Sequence, residues 1–172
     1  MQQSKPASTP MSTSTKLLRS DSSSTKDAAP STGQEDMREV PYSQAVGAIM
    51  YAAMGTRPDV AYAITSLSQF LQSPARPHWV ALKRVLRYLK GTQDAQLVYR
   101  RIPGSADQAL TVHGYSDSDW ANDINDRRSI TGWVFLLYGC AVSWQSRKQR
   151  TTALSSVEAE YMAATAATKE AV

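Results

Sequence analysis

The chain has 172 residues, 42% apolar and 20% charged, with 19 Lys plus Arg against 15 Asp plus Glu, a formal net charge of +4. That length suits one domain, or a small domain with a tail, and a pI near 9.3 fits an anionic partner. One cysteine, Cys140, excludes an internal disulfide and any Cys-based zinc site, and two histidines, His78 and His113, argue against a His-rich metal centre.

In chain order, residues 1–40 hold no aromatic residue and are dominated by Ser, Thr and Pro. So little apolar surface cannot offset chain entropy, and a disordered tail is expected there. Its opening, MQQSKPASTPMSTSTKLLRS, lacks the apolar segment of a secretory signal. Nowhere does an apolar run approach the ~18–20 residues of a membrane span. These features predict cytoplasmic or nuclear residence without a membrane span.

A helical segment is expected over 41–92. Val46, Ile49, Met50 and Ala53 have helical spacing within PYSQAVGAIMYAAM, and Gly55 is a stop. Thr56 and Asp59 have capping-box spacing with Pro58 in the first turn, and Val60, Ile64, Leu67 and Leu71 then form one stripe. Pro74 and Pro77 break the chain before a helix from about His78 to Lys90. Its apolar face is Trp79, Leu82, Val85, Leu86 and Leu89, and Gly91 closes it.

The period changes over 93–172. QLVYR (96–100), LTVHGYS (110–116) and WVFLLY (133–138) read as strands, and Gly139-Cys140 turns the last into AVSWQS (141–146). Ser155 or Ser156 caps a final helix, VEAEYMAATAATKEAV. Helices, then a meander, then a helix predict an α+β fold with an antiparallel sheet covered on one face.

Three groups could carry chemistry. GYSDSDWANDINDRR places Asp117, Asp119, Asp123 and Asp126 ahead of any basic residue. Asp117 and Asp119, two apart on a strand, would share a face, and hard carboxylate oxygens suit Mg²⁺; an exposed acidic loop is the plainer alternative. Glu158 and Glu160 sit early in the last helix, where acids favour the helix dipole, and at most one of the two can point at the sheet. Lys83, Arg84, Arg87 and Lys90 crowd one helix between Arg76 and Arg101, with Asp94 the single acid of that stretch. They are a solvated face or a phosphate-binding surface.

The blocks YSQAVGAIMYAAMGTRPDVAYAI, HWVALKRVLRYLKGT, GYSDSDWANDINDRRSITGWVF, VSWQSRKQ and ALSSVEAEYMA, in this order, resemble consecutive blocks of copia-type retrotransposon Pol polyproteins. SKPASTPMSTSTKL is similar to the segment just after the reverse transcriptase palm. The resemblance implies the end of a reverse transcriptase joined to a ribonuclease H domain. That fold opens with a three-stranded antiparallel meander and a helix, and its activity cleaves the RNA strand of an RNA–DNA hybrid with two metal ions. It implies that Asp117 corresponds to the first-strand aspartate and Glu160, in preference to Glu158, to the helix glutamate; Asp119 receives no role.

The family's third carboxylate lies in a Cys-Asp-Asn block on the strand after this helix, beyond Val172. The last strand–helix units and the polymerase's Tyr-x-Asp-Asp block have no counterpart. The expectation is therefore a truncated ribonuclease H-like domain with a vestigial pair, Asp117 and Glu160, an incomplete Mg²⁺ site, and little or no nuclease activity. The first strand would be left with an open edge suited to self-association, partly covered by the N-terminal helices. Nucleic acid, as hybrid or duplex, would bind through Lys83, Arg84, Arg87 and Lys90.

A second resemblance lies in the tail. Lys16-Leu17-Leu18-Arg19 and Glu35-Asp36-Met37-Arg38 resemble degenerate forms of the Arg-x-Leu-Arg and acidic-Glu-Arg blocks of secreted oomycete effectors. Lys16, Leu18, Arg19, Glu35, Asp36 and Arg38 are the candidate targeting residues. This resemblance implies secretion, delivery to host plant cells, a host protein partner and modulation of cell death.

Overall fold

In the computed structural model the described residues are 3–12, 15–19, 37, 39–100 and 111–172. They form α1 (Tyr42–Gly55), a 3-10 turn (Pro58–Val60), α2 (Ala61–Ser68), α3 (Arg76–Gly91), β1 (His113–Asp119), β2 (Ile130–Leu137), β3 (Cys140–Lys148) and α4 (Ser156–Ala171). The architecture is α+β: a helical segment, an antiparallel sheet in the order β1-β2-β3, then one helix.

The helices form because their apolar residues fall on shared faces. Tyr42, Val46, Ile49 and Ala53 of α1, Ala63, Ile64 and Leu67 of α2, and Ala81, Leu82 and Val85 of α3 make one buried cluster. Each large apolar side chain there contributes about 1.5–3 kcal/mol by leaving water. Tyr42 brings a polar tip into that core and satisfies it by donating to the Leu67 carbonyl at 2.9 Å. Burial pushes its phenol well above the ordinary tyrosine range.

Local punctuation works differently from expectation in places. Thr56 does not cap: Arg57 occupies the cap position of the 3-10 turn, and Asp59 is drawn to Arg57 and Tyr88 instead. Leu71 falls beyond α2 and is 40% exposed. Pro77 lies inside the first turn of α3 and does not break the chain before it, since a first-turn proline lacks only an N–H that has no helical partner. Ser155 caps α4, its hydroxyl accepting from the Glu158 N–H at 3.1 Å, and the Glu158 carboxylate accepts from the Leu154 N–H at 2.7 Å.

The β2–β3 hairpin closes through Tyr138 (φ 52) and Gly139 (φ 73), two successive left-handed residues whose twist matches that of paired strands. Residues 96–100, expected as a strand, pair with no strand among the described residues. Val98 and Tyr99 stay largely exposed, and Tyr99 docks alone through its hydroxyl on the Ala141 carbonyl at 2.6 Å. The predicted strand at 110–116 is instead His113–Asp119; residues 101–110 lie outside the described residues.

The sheet is covered on both faces, not one. Alternation and register put Asp117, Asp119, Ile130, Val134, Trp144 and Lys148 on one side. There Trp144 donates to the Ala53 carbonyl at 2.8 Å and Thr65 to the Ser146 carbonyl at 2.9 Å, tying the sheet to α1 and α2. Ser118, Thr131, Trp133, Phe135 and Ser143 face the other side, against α4. Gln149 clamps that layer, donating to Ser118, Thr131 and the Ala159 carbonyl, while Ser143 donates to Glu170 at 2.7 Å. One covered face was expected because the strands were read without their partners; the indole of Trp144 and the buried Ile130 need a second layer.

Disorder was expected for all of 1–40, and residues 3–12 and 15–19 depart from it. They run along the body with Met11 and Leu17 packed against the helical core. Residues 20–36 lie outside the described residues.

Candidate functional site

The acidic loop between β1 and β2 is neutralised from a distance. Lys148, at the end of β3, donates to Asp123, to Asp126 at 2.8 Å and to Gln69, the residue that follows α2, at 2.7 Å. Asp123 also accepts from the Asn125 backbone at 2.8 Å and side chain at 2.9 Å. Burial opposes ionisation of Asp123, but the bonds from Lys148 and Asn125 outweigh it and hold the carboxyl below the usual range.

Asp119 is the opposite case. Burial pushes it up, against the donors Ile130 N–H and Asn122, and the neighbouring charge of Asp117 adds to the rise. A cavity of about 410 Å³ opens between this loop, α2 and the N-terminal segment, with Met11, Tyr62, Phe70, Asp119 and Ile124 among its walls. Its carboxylates are engaged: Asp59 by Arg57 and Tyr88, Asp119 and Asp123 as above.

The two candidate catalytic residues lie on different elements. Asp117 is exposed on β1, on the face turned from α4. Glu160 is exposed on α4, beside Ala159, which packs against the sheet with Ala163. Among the described residues no group of three or more His, Cys, Asp or Glu side chains is placed to hold a metal ion. Asp117 and Glu160 are the two carboxylates of the expected Mg²⁺ set that the chain carries, one on β1 and one on α4. β1 is an edge strand whose residues from His113 to Asp117 are exposed.

The basic helix is a real cationic row, but it is occupied. Arg84 donates to the Thr9 carbonyl at 3.1 Å and the Thr9 hydroxyl at 2.8 Å, Arg87 to the Lys5 carbonyl at 2.6 Å and Lys90 to the Ser4 carbonyl at 3.1 Å. Lys83 lies over the Trp79 ring at 5.5 Å. A row expected to face solvent thus meets the chain's own backbone, because α3 presents donors where residues 4–9 offer carbonyls.

Of the targeting candidates, Lys16, Leu18 and Arg19 lie on the body. The Leu18 carbonyl faces His78 Nε2 at 3.2 Å, the Arg19 N–H donates to Asn125 at 2.8 Å, and Asn125 donates to the Leu17 carbonyl at 3.1 Å. Glu35, Asp36 and Arg38 lie outside the described residues. Sequence reasoning missed Lys148, Asn125, His78 and Gln149. Only Asn125 carried a local signal, as the third residue of an Asp-Ile-Asn turn.

Over most of its length the chain is similar to copia-type retrovirus-related Pol polyproteins. It is 45% identical over 174 residues to the Pol polyprotein of transposon TNT 1-94 from Nicotiana tabacum, covering 100% of this chain and 12% of that protein. It is 42% identical over 157 residues to that of transposon RE2 from Arabidopsis thaliana, covering 91% of this chain and 10% of that protein. The chain thus spans about a tenth of those polyproteins. It is also 57% identical over 136 residues to a protein named secreted RxLR effector protein 161 from Plasmopara viticola, covering 79% of this chain and 92% of that relative. No family model and no solved structure matches. Among the described residues no helix is long and apolar enough to cross a membrane.

Proposed function

We propose that this retrotransposon-derived chain acts by contact and not by hydrolysis, with the α3 row of Lys83, Arg84, Arg87 and Lys90 binding the phosphates of an RNA–DNA hybrid or duplex. The observation that carries the reading is that Asp117 and α4, which bears Glu160, lie on opposite sides of the sheet. Two-metal hydrolysis needs carboxylates converging on one cation pair. Phosphate binding needs only a row of cations, and four residues of one helix supply it.

The test is fluorescence anisotropy of a labelled hybrid against the full chain over a range of salt. Binding should weaken with salt, and Arg84→Glu/Arg87→Glu should abolish most of it. Binding indifferent to that reversal sinks the α3 reading. Asp117-dependent cleavage of the hybrid in Mg²⁺ overturns the reading by contact and supports an active hybrid ribonuclease, with the remaining ligands supplied by a further segment or subunit. Sedimentation of the same samples tests self-association through the β1 edge.

The 57% identity over most of an effector-named relative favours a second reading. In it the chain is secreted, delivered to the cytoplasm or nucleus of host plant cells, and contacts a host protein to suppress cell death. Expression in leaf tissue challenged with a cell-death inducer tests it. An unchanged response with the full chain present counts against it.

A further inference from the structure

We propose that residues 4–9 are a displaceable strap that gates the cationic face of α3, so that a polyanion reaches Arg84, Arg87 and Lys90 only by lifting the strap. The inference rests on the reading of α3 as a phosphate-binding face.

The strap lies along α3 in a definite register. Ser4, Lys5 and Thr9 present carbonyls to Lys90, Arg87 and Arg84 in turn, and the Ala7 N–H returns a bond to the Arg87 carbonyl at 3.3 Å. Pro6 sits on Gly91 so closely that a Cβ there would lie 2.8 Å from the proline Cβ. Three of the four cations of the row therefore have donors committed to neutral backbone acceptors.

Two features make that commitment reversible. None of residues 4–9 is buried, so their release exposes no core. The apolar anchors come later, where Met11 and Leu17 pack on the helical cluster and Asn125 clasps Leu17 and Arg19. Lifting residues 4–9 leaves the rest of the segment tethered. The replacement is also favourable bond for bond, because a phosphate oxygen carries the charge opposite to guanidinium or ammonium and adds an ion-pair attraction that the displaced neutral carbonyl lacks.

The test locks the strap in the full chain. Pro6→Cys/Gly91→Cys in a Cys140→Ser background brings two thiols together, since the two β-carbons need move apart by only about 1 Å to reach disulfide geometry. Anisotropy of a labelled RNA–DNA hybrid is then read on the oxidised and reduced forms of one preparation. The reduced form should bind about tenfold more tightly, with a steeper dependence on salt, because up to three further cations become available to phosphate. Gly91→Ala, which crowds Pro6 without altering any charge, should tighten binding by at least about twofold in the otherwise natural chain.

Equal affinity of the oxidised and reduced forms, both still lost on reversing Arg84 and Arg87, overturns the strap while leaving the α3 interface standing. So does a Gly91→Ala variant that binds no better than the natural chain. Absence of salt-dependent binding in the reduced form and in Gly91→Ala overturns the α3 reading itself, and the strap with it.

Discussion

Lys148→Met tests whether the acidic loop is a structural lock. Met fills the space of the lysine stem while removing its charge. Lys148 Nζ serves Asp123, Asp126 and Gln69 at once, and the side chains of Lys148, Asp123 and Asp126 are 17%, 7% and 27% exposed. Removing one partner of a fully buried pair costs about 3–5 kcal/mol. An exposed pair is worth about 0–1 kcal/mol. This cluster lies between those limits and nearer the first, so Lys148→Met should cost about 2–3 kcal/mol at neutral pH.

The pH dependence identifies the cause. In the natural chain Asp123 is held below the usual carboxylate range, so its stabilisation is present above the unfolded value of about 3.9 and is lost as pH falls through the folded one. In Lys148→Met the burial remains without the cation, so the Asp123 carboxyl should rise above that range. Protonation then relieves it, and the gap between variant and natural chain narrows on acidification. Urea unfolding at pH 7.5 and pH 4 measures both gaps. A penalty that is absent at pH 7.5, or equal at the two pH values, refutes an ion-pair lock. Adding Asp123→Asn should recover about 1 kcal/mol of the loss through the coupling of the pair.

Two further predictions concern the ends of elements. His78 is buried, accepts from the Ala75 N–H at 2.9 Å, meets the Leu18 carbonyl and stacks on Phe70 at 3.9 Å. His78→Ala should cost about 2–4 kcal/mol in urea unfolding and release residues 15–19 to proteolysis; a loss under about 1 kcal/mol would mean the ring is not the link. Tyr138 holds φ 52 in the β2–β3 turn. Tyr138→Asn places there a residue that tolerates the left-handed region and should stabilise by about 0.5–1 kcal/mol, seen as a higher thermal midpoint; a lower midpoint refutes the assignment of strain to that position.

How much was legible depends on the distance over which each feature is decided. Helix faces are settled within a few residues and were readable from spacing; the cap fell on Ser155, one of the two serines expected there, and the turn, expected at Gly139-Cys140, lies one residue earlier at Tyr138-Gly139. QLVYR has the composition of a strand, yet a strand exists only when a partner meets its ladder, and none among the described residues does. The acidic run looked unbalanced because its counter-cation, Lys148, arrives from the end of β3, 25 residues after Asp123. Alternation put Asp117 and Asp119 on one face of β1, as read, but nothing local says which face α4 will cover. That choice is made by Thr131, Trp133 and Gln149 on one side and by Ile130 and Trp144 on the other.

The N-terminal segment exposes the limit of composition as a guide. Low apolar content predicts disorder because it measures what a segment can bury. Residues 4–9 are held by a different force: donors of α3 against main-chain carbonyls 75 to 86 residues away in sequence. Every residue carries such a carbonyl, so most of the recognition is independent of side chains, the Thr9 hydroxyl and the Pro6 ring being the exceptions. Pro6 and Pro10 help by favouring an extended backbone whose carbonyls find no internal partner. A Ser/Thr/Pro-rich run is therefore a poor candidate for a core and a good one for a strap. The cations that look like a nucleic-acid interface in the α3 sequence are the same ones that create its competitor.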